Sequence, residues 1–435
     1  MNIIVLAGGL SPERHVSLVS GTSICRALRN LGHKAVLVDM FLGLEDYEGD
    51  LADLFDAPGG LCGEAVIHTE APDLEQVRRS RRDQSSNLFG TGVLQACTMA
   101  DIVFLGLHGT CGEDGRVQAA FDLLGIPYTG AGYLASGMAM NKAVTKQIME
   151  RCGILTPPWR ELIYSREDIP RLARELPVPS AVKVIDGGSS LGVSLPETRE
   201  ELAAALEENL GYGGHVIVER KITGRDIAIG VLGDRYLPAV EIIPRMGGYF
   251  DYASKYQDGG SEEVCPAPIT DRQWREMGET TLRLHRALGL RAYSRADFIL
   301  DADGRAWCLE INTLPGMTPA SLLPKEAAAA GLNYEALCQE ILELSLAGRL
   351  IYGFLWGLRP HTPSYFLLVQ KVTKNTHRGQ VCPLCTLMLV LYRRGCGITS
   401  DSACRRAGHL LPLTDKLALR PPPLAGISFE MFHPA

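Results

Sequence analysis

The chain has 435 residues, of which 46% are hydrophobic and 21% are charged, and its formal net charge is −7. Such a chain has room for two to four globular domains, and its negative charge argues against a general nucleic-acid-binding protein. The first residues lack the features of a signal peptide, and no apolar run reaches the roughly 18 residues that span a bilayer. We therefore expect a cytoplasmic protein with reduced cysteines that binds neither nucleic acid nor membrane.

The first predicted elements are a buried strand, a Gly8-Gly9 turn, an amphipathic helix that ends at Gly32, and a second strand. This order predicts a βαβ unit and hence a parallel sheet. Residues 58–92 are polar and rich in Gly, Ser and Arg, so we expect a loop-rich segment there. The predicted strands are residues 3–6, 35–38, 101–107, 216–220, 227–232, 239–243, 295–300 and 305–311, with two more around a turn within 181–195; the later predicted helices are residues 141–152, 271–289 and 326–347.

A predicted hairpin near the end of this series carries the clearest chemical pattern. The Asp-Gly pair at 303–304 is typical of a two-residue type I′ turn. With that turn, Asp297 lies opposite Glu310, and Arg295 lies opposite Asn312. The period of two along a strand then places these four polar side chains on one face. The apolar neighbours expected to face the core are Ala296, Phe298, Leu309 and Ile311.

Two carboxylates, an amide oxygen and a guanidinium on one face fit a magnesium site. Mg²⁺ prefers oxygen ligands and usually shares them with substrate phosphates. Arg295 could then stabilise charge on a transferring phosphoryl group. The alternative is an exposed sheet face with cross-strand ion pairs. The hairpin by itself leaves both interpretations open.

Two further features are typical of an anion-binding region. The turn at 187–192 is rich in Gly and Ser, whose backbone N–H groups and hydroxyls can approach an anion closely. It is not a P-loop, because no Gly-Lys-Ser/Thr follows. Lys183 lies in the strand before the turn, and Lys142 opens a predicted helix, where a cation is unfavourable unless an anion is present. Alone, the turn also fits a tight hairpin, and Lys183 an exposed strand residue.

Two loops complete the pattern. The Pro-Gly turn within 310–318 follows the metal-face strand and would redirect backbone N–H groups toward the site. Glu13, in the loop after the first strand, could hold a substrate ammonium. A Gly-Gly loop at that place is, however, more often a simple chain reversal.

In chain order these stretches resemble the D-alanine–D-alanine ligases of the ATP-grasp superfamily, over roughly residues 1–346. The resemblance is specific because several motifs occur in family order. These motifs are Gly8-Gly9 with Ser11-Pro12-Glu13-Arg14, Leu107-His108-Gly109 with Gly112-Glu113-Asp114-Gly115, Gly125–Gly130, Met140-Asn141-Lys142, Gly188–Gly192, Asp251-Tyr252 with Lys255-Tyr256, Cys265-Pro266-Ala267, Arg295-Ala296-Asp297 and Glu310–Thr318.

The resemblance implies an α/β ATP-grasp fold with an N-terminal Rossmann-like parallel-sheet domain. Residues 1–130 would form that substrate domain, 131–219 the central ATP-grasp subdomain, and 220–347 the C-terminal subdomain with the magnesium site. ATP would lie between the last two. Residues 348–435 fall outside the family pattern.

The resemblance also implies ligands for ATP, for two Mg²⁺ (or Mn²⁺) ions and for two D-alanine molecules. At the nucleotide these are Lys142, Lys183 and Lys255 for the phosphates, and Glu219 and Asp226 for the adenosine. The implied metal ligands are Asp297, Glu310 and Asn312. The implied substrate residues are Glu13 and His108 for the first D-alanine, and Arg295, Gly316 and Ser321 for the second. The implied catalytic set is Glu13, Ser189, Tyr256 and Arg295, in which Ser189 and Tyr256 link to Glu13 and close the site.

The implied activity is the ATP-dependent joining of two D-alanine molecules through an acyl phosphate, for peptidoglycan precursors, and the resemblance allows a homodimer. One alternative is a related ligase with another acceptor, such as D-lactate. A regulatory pseudoenzyme would have lost ligands that are all present here, and a dinucleotide-binding oxidoreductase would need a third spaced glycine after Gly8-Gly9. Val184 and Asp226 stand where the family commonly has Pro and Glu; neither change removes a charge, so we expect altered affinity.

The tail, residues 348–435, differs in charge from the rest. It holds 11 Lys/Arg against 3 Asp/Glu, whereas residues 1–347 hold 32 against 47. This reversal marks a boundary. A zinc site is disfavoured, because the second cysteine pair is spaced by seven residues; the four cysteines are Cys382, Cys385, Cys396 and Cys404. The remaining hypotheses are a disordered tail, an added targeting or partner segment, and a non-native extension such as a shifted reading frame.

Overall fold

The computed structural model describes residues 1–63, 65–67, 72–187, 192–245 and 260–355, with side chains described as far as residue 348. Within these ranges, no helix is both long and apolar enough to cross a membrane. The strands are β1 (Asn2–Ala7), β2 (Lys34–Asp39), β3 (Ile102–Leu105), β4 (Trp159–Ile163), β5 (Ser180–Val184), β6 (Val193–Ser194), β7 (His215–Arg220), β8 (Arg225–Leu232), β9 (Arg235–Tyr236), β10 (Val240–Pro244), β11 (Ser261–Val264), β12 (Tyr293–Leu300) and β13 (Ala306–Asn312). The α-helices are α1 (Arg14–Asn30), α2 (Leu74–Ser80), α3 (Val93–Met99), α4 (Arg116–Leu124), α5 (Tyr133–Met140), α6 (Lys142–Arg151), α7 (Ile169–Glu175), α8 (Arg199–Asn209), α9 (Asp271–Ala287), α10 (Leu322–Ala329) and α11 (Tyr334–Leu355).

The first sheet is parallel, with strand order β2-β1-β3. The predicted βαβ unit is confirmed, since β1 pairs with β2 on one side and with β3 on the other. The central strand is fully buried from Ile3 to Leu6, as its continuous apolar run predicts. Because the chain crosses from β2 to β3 over β1, the loops after β1 and β3 leave in different directions. Parallel sheets open a ligand crevice at such a point.

The second sheet is antiparallel, with strand order β4-β7-β5-β6. Helices α7 and α8 pack on one face, where Leu172 and Leu202 share a core with Val182 and Val218. The opposite face of β5 and β7 carries Lys183 and Glu219 toward α6. Their diagonal placement follows from the register, in which Lys183 pairs with Ile217 and Glu219 pairs with Ala181; the sheet thus turns two charged groups to the side of the predicted nucleotide site.

The third sheet has the order β11-β10-β8-β12-β13, with β9 paired to β8. Its buried face packs on α9 through a core that includes Ala296, Phe298 and Met277. Helices α5 and α6 add side chains to this same core, Met149 among them. The opposite face carries the predicted metal residues on β12 and β13, and beside them Ala228 and Val240 pack on Leu322 of α10.

Two segments differ from the sequence-based expectation. Residues 58–92 were expected to be loop-rich, but they contain α2, which begins where the Asp73 side chain accepts from two backbone N–H groups. The single helix expected over 326–347 is two helices, α10 and α11. Gly331 separates them with a φ of +86°, a left-handed conformation that ends helices and that glycine adopts without strain.

The predicted hairpin of β12 and β13 is present, but the expected two-residue turn is wrong. The loop runs from Asp301 to Arg305 and is closed by the Asp301 N–H donating to the Arg305 carbonyl at 3.0 Å. A bulge between Asp297 and Phe298 then shifts the register by one residue. Phe298 consequently pairs with Cys308, which is fully buried, while Leu309, expected in the core, is only half-buried at the bulge. The turn error and the bulge cancel, so the pairing at the metal face is as predicted.

Candidate active site

The first part of the site lies in the loops that follow β1 and β3. Glu13 stands at the N-terminus of α1 and is 7% exposed. Gly109 makes room for it, since a Cβ there would lie 2.9 Å from the Glu13 Oε2 atom. Ser11 joins the two loops, because its hydroxyl donates to the His108 carbonyl at 2.8 Å. The predicted ammonium-binding carboxylate is thus fixed at the crevice of the first sheet.

His108 is buried between these loops and the loop that follows β13. Its Nδ1 lies 3.2 Å from the Leu314 carbonyl oxygen, and its Nε2 lies 3.0 Å from the Ser20 hydroxyl. Because a carbonyl only accepts, Nδ1 carries the proton and Nε2 accepts from Ser20. Burial lowers the pKa of His108 to about 4. His108 is therefore neutral near pH 7 and joins two loops predicted to flank the substrates.

The buried, neutral His108 predicts a specific pH dependence of stability. Its pKa is about 4 in the folded chain against an ordinary 6.5, so the unfolded chain takes up the proton first as the pH falls. The stabilisation should be complete above pH 6.5 and lost progressively toward pH 4. Relative to His108→Asn, the free energy of unfolding of the wild type should fall by about 2 kcal/mol between pH 7.5 and 5. Urea unfolding of both proteins measures this; a constant difference between them contradicts the neutral state.

Glu113 is a carboxylate of this region to which the sequence assigned no role. Its Oε2 accepts from the Gly109 N–H at 2.9 Å, and its side chain lines a cleft with Lys142, Glu310 and Asn312. Burial, and then the charge of Glu13, raise the pKa of Glu113 to about 8. A carboxyl that keeps its proton near neutral pH can donate a hydrogen bond as well as accept one. The signal that could have found it is its place in the Gly-Glu-Asp-Gly stretch beside the substrate loop.

The predicted metal face lies on β12 and β13. Arg295 donates to both oxygens of Asp297, at 2.8 and 2.9 Å, and the Asn312 amide nitrogen donates to the same carboxylate at 3.0 Å. Glu310 lies directly across from Asp297, and Asn312 across from Arg295, so the predicted pairing is confirmed. The Arg295–Asp297 ion pair joins two residues of β12 that are 13% and 23% exposed, so it is not the exposed cross-strand pair of the alternative interpretation.

The donor set fits a magnesium ion. Asp297 and Glu310 supply carboxylate oxygens, and Asn312, which contacts Asp297 through its nitrogen, can supply its amide oxygen. In the part of the chain that the structure describes, no group of three or more His, Cys, Asp or Glu side chains is placed to hold a metal. A metal at this face would therefore depend on the amide and on oxygens from a phosphate or water, as is usual for Mg²⁺.

Two predicted phosphate-binding lysines lie beside this face. Lys142 is the first residue of α6, is 8% exposed, and donates from Nζ to the Gly187 carbonyl. Burial lowers its pKa. Lys183 lies with its Nζ 3.1 Å from Glu219 Oε2. Burial works against the charged form of Lys183 too, but the charges of Glu219, Glu310 and Asp226 and the hydrogen bond to Glu219 together outweigh it, so the pKa of Lys183 is raised.

Glu219 binds a second lysine, Lys146, that the sequence did not single out. Lys146 Nζ lies 3.1 Å from Glu219 Oε1, and the two side chains are 1% and 2% exposed. Burial alone would raise the pKa of Glu219, but the charges of Lys146 and Lys183 lower it to about 2. A signal was present, because Lys146 follows Lys142 by four residues and so shares its face of α6.

Three other residues of the predicted site lie in the described part of the chain: Asp226, Gly316 and Ser321. Asp226 lies on β8 and pairs with Ile299 on β12. Ile299 is two residues from Asp297, so Asp226 and Asp297 lie on the same face of the sheet. Burial and then the Asp297 charge raise the pKa of Asp226 to about 6. In the loop after β13, a Cβ on Gly316 would lie 2.9 Å from the Ser321 hydroxyl. The structure therefore brings Gly316 and Ser321 together, as the family pattern implies.

Ser189, Lys255 and Tyr256 lie outside the described residues. The described ends of the Gly/Ser turn pack closely on Val184, since a Cβ on Gly187 or Gly192 would lie 2.7 or 2.8 Å from its methyl groups. A larger residue than glycine at position 187 or 192 would therefore clash with Val184.

Glu326 is a further residue that the sequence did not indicate. It is fully buried on α10, and its Oε2 would lie 2.1 Å from a Cβ placed on Gly230. Gly230 pairs directly with Arg295, so the glycine admits this carboxylate to the Arg295 side of the sheet. In the sequence it looks like an ordinary surface residue of an Ala-rich helix.

Comparisons with known proteins give the family of this chain. The family models for the D-ala D-ala ligase N-terminus and C-terminus match residues 2–131 and 148–343. The D-alanine–D-alanine ligase of Nitratidesulfovibrio vulgaris (strain DP4) is 41% identical over 351 residues, which are 80% of this chain and 100% of that protein. The enzyme of Pediococcus pentosaceus is 41% identical over 344 residues, 79% of this chain and 97% of its own length. The crystal structure of D-alanine–D-alanine ligase from Bacillus anthracis complexed with ATP has a TM-score of 0.60 and 29% identity, covering 81% of this chain and 99% of its own. The chain therefore belongs to the D-alanine–D-alanine ligase family, and its fold is that of these ATP-grasp ligases.

Proposed function

We propose that this chain is an ATP-dependent ligase that joins two D-alanine molecules through an acyl phosphate. The observation that carries the proposal is one cleft lined by Lys142, Glu310, Asn312 and Glu113. Lys142 and the proposed metal ligands Glu310 and Asn312 suit the phosphates of ATP. Glu13, which suits an ammonium group, lies beside this cleft, because Glu13 and Glu113 both lie against Gly109. A reaction between ATP and an amino acid needs both at once.

The first D-alanine would lie at the crevice of the first sheet, with its ammonium at Glu13 and His108 positioning the loops around it. Its carboxylate would then point toward the metal face. Arg295, the Gly316 backbone and Ser321 would hold the second D-alanine. These two places are close because the His108 side chain contacts the Leu314 carbonyl, which precedes Gly316 by two residues.

The chemistry follows from the charge of a carboxylate, which makes it a poor electrophile. Transfer of the γ-phosphoryl group of ATP to a carboxylate oxygen gives D-alanyl phosphate and ADP. The amine of the second D-alanine then attacks the acyl carbon and forms the peptide bond. The bond between the acyl carbon and the phosphate oxygen breaks, and phosphate and a proton are released. Lys142, Lys183 and Arg295 would offset the negative charge that collects during these steps.

The metal ions would be held by Asp297, Glu310 and Asn312. When bound, Mg²⁺ or Mn²⁺ supplies positive charge that offsets the phosphate oxygens and orients them for in-line transfer. The protein side chains fix the nucleotide and exclude water, which would otherwise hydrolyse the acyl phosphate.

We expect D-alanine, rather than D-lactate, to be the preferred acceptor. The sequence places a Lys-Tyr pair at 255–256, where the family's dipeptide-forming members have it, although these residues lie outside the described part. A lysine near the acceptor disfavours a second cation and so promotes loss of the proton from the ammonium. With D-alanine and D-lactate in equal amounts at neutral pH, the dipeptide should dominate the product.

Chromatography with mass detection of the products tests both the function and the acceptor. Formation of D-alanyl-D-alanine with release of ADP supports the proposal. A majority of D-alanyl-D-lactate overturns the acceptor alone. The absence of any condensed product over a range of D- and L-amino acids and D-hydroxy acids overturns the ligase function.

The proposed domain boundaries remain 1–130, 131–219 and 220–347, and a homodimer and a cytoplasmic location remain predictions. The strands of the three sheets fall within 2–105, 159–220 and 225–312, so each proposed domain contains one sheet, except that the last residue of β7, Arg220, lies just past the proposed boundary. Helices α5 and α6 lie in the proposed central domain, yet they bury side chains against the third sheet. These helices would therefore tie the two nucleotide-binding halves together.

A version of the chain that ends at Ala347 should keep its ligase activity. The family model ends at residue 343, and among the residues with described side chains Leu346 is the last one buried in the first core. Steady-state phosphate release by the full and shortened chains, compared at equal concentration, measures this. A shortened chain that is folded, as judged by circular dichroism and a cooperative melt, yet inactive would make the tail part of the catalytic unit.

A further inference from the structure

A buried charge cluster connects the two sheets on either side of the proposed nucleotide site. Glu219 on β7 is bound by Lys183 from β5 and by Lys146 from α6, each at 3.1 Å. Lys146 also donates to the Thr156 hydroxyl at 2.5 Å, and that hydroxyl donates to the Cys308 carbonyl on β13 at 2.8 Å. The metal-face residue Glu310 is two residues further along the same strand.

The two lysines of this cluster differ in what they can do. Lys183 is 13% exposed and next to the Gly/Ser turn, whereas Lys146 is 1% exposed and is tied to Thr156. Lys183 is a proposed phosphate ligand, and we infer that its Nζ moves from Glu219 to the phosphates when ATP binds. Among the described residues, Lys146 contacts Glu219 and Thr156, and we assign it no contact with the phosphates.

The departure of Lys183 would leave Glu219 as a buried carboxylate, 2% exposed, with a single cation. An uncompensated buried charge is strongly unfavourable, so a carboxylate with no remaining partner would either hold Lys183 back or take up a proton. Because Lys146 remains next to Oε1, the Glu219 carboxylate stays charged after Lys183 leaves. Its free Oε2 atom can then accept a hydrogen bond from an N–H group of the nucleotide.

We propose that Lys146 is a positioning residue for ATP binding, which balances and orients Glu219 permanently so that Lys183 is released to the phosphates. This inference rests on the proposed use of ATP, but not on the identity of the amino acids. It predicts that Lys146 acts through Glu219 and affects nucleotide binding rather than D-alanine binding.

Direct titration with ATP and Mg²⁺, by calorimetry, tests the proposal without requiring ligation. Lys146→Met should weaken ATP binding by roughly 10- to 100-fold, which is part of the cost of leaving a buried charge without its partner. The KM for D-alanine should stay within about threefold. Lys34→Met is a matched control, because Lys34 forms an exposed ion pair with Asp56 on the first sheet, and it should bind ATP as the wild type does.

A double-mutant cycle separates positioning from general destabilisation. In the Glu219→Gln background there is no charge to balance, so adding Lys146→Met should change ATP affinity by less than about threefold. If Lys146→Met alone folds poorly, Lys146→Gln takes its place in the cycle, because its amide can still donate to Glu219 but carries no charge. An equal loss in both backgrounds, or a Lys146→Met single variant that is folded and binds ATP normally, would overturn the proposal. A wild type that binds ATP and follows this cycle but forms no dipeptide would instead overturn the proposed function alone.

Discussion

Replacing Asp297 by Asn, or Glu310 by Gln, should lower amino-acid-dependent ATP turnover by at least about 10³-fold, which corresponds to roughly 4 kcal/mol of transition-state stabilisation. The two carboxylates face each other across β12 and β13, and Glu310 lines the cleft where the phosphates are proposed to lie. Each amide keeps the shape of the side chain but removes the charge that a divalent cation requires. Phosphate release at saturating Mg²⁺ and D-alanine measures the effect.

The matched control is Asp303→Asn, in the loop of the same hairpin. Asp303 pairs only with Arg305 among the described contacts of its side chain, and its side chain is 74% exposed. Exposed ion pairs contribute little, so this variant should keep its activity within about twofold. All three variants should keep wild-type circular dichroism. Near-normal turnover in either Asp297→Asn or Glu310→Gln would mean that the metal lies elsewhere.

Replacing Arg295 by Lys should lower kcat/KM for D-alanine by roughly 10²- to 10³-fold, although the positive charge is kept. Arg295 binds both oxygens of Asp297 through two nitrogens, a planar geometry that an ammonium group cannot reproduce. It is also proposed to hold the carboxylate of the second D-alanine. Burial raises the pKa of Glu326, while the charge of Arg295 counteracts that rise, so the guanidinium has carboxyl groups on two sides.

Affinity for ATP distinguishes this effect from a general loss of structure. Arg295 does not contact the lysine cluster in the described structure, so Arg295→Lys should bind ATP within about threefold of the wild type. Arg305→Lys provides the control, because Arg305 is exposed on the same hairpin and pairs with Asp301 and Asp303. A kcat/KM near that of the wild type in Arg295→Lys would show that a point charge is sufficient, and that the second substrate is held by other groups.

Much of the fold and of the site follows from local sequence patterns. The apolar run at the start of the chain predicted β1, and alternation along β12 placed Arg295 and Asp297 on one face. Such patterns can be read because a strand repeats every two residues and a helix every 3.6, whatever the rest of the chain does. The family motifs added the expected ligands of ATP, which no periodicity could have supplied.

Local patterns were less reliable where backbone conformation depends on single residues. The Asp-Gly pair predicted a two-residue turn, whereas the loop closes over Asp301 to Arg305 and a bulge restores the register. The helix break at Gly331 was likewise missed. In both places the composition fits more than one turn, and packing of the flanking elements selects among them.

Only the tertiary structure decided which distant residues meet. Glu219 lies between Lys146 and Lys183, which are 73 and 36 residues before it in the chain. His108 contacts the carbonyl of Leu314, 206 residues away, and Glu326 enters the space above Gly230. The sequence determined the chemical groups and the elements that carry them. Their partners depend on how three sheets pack around a shared cleft, because a buried charge is stabilised by whichever opposite charge packing brings next to it, however far apart the two residues lie in the chain.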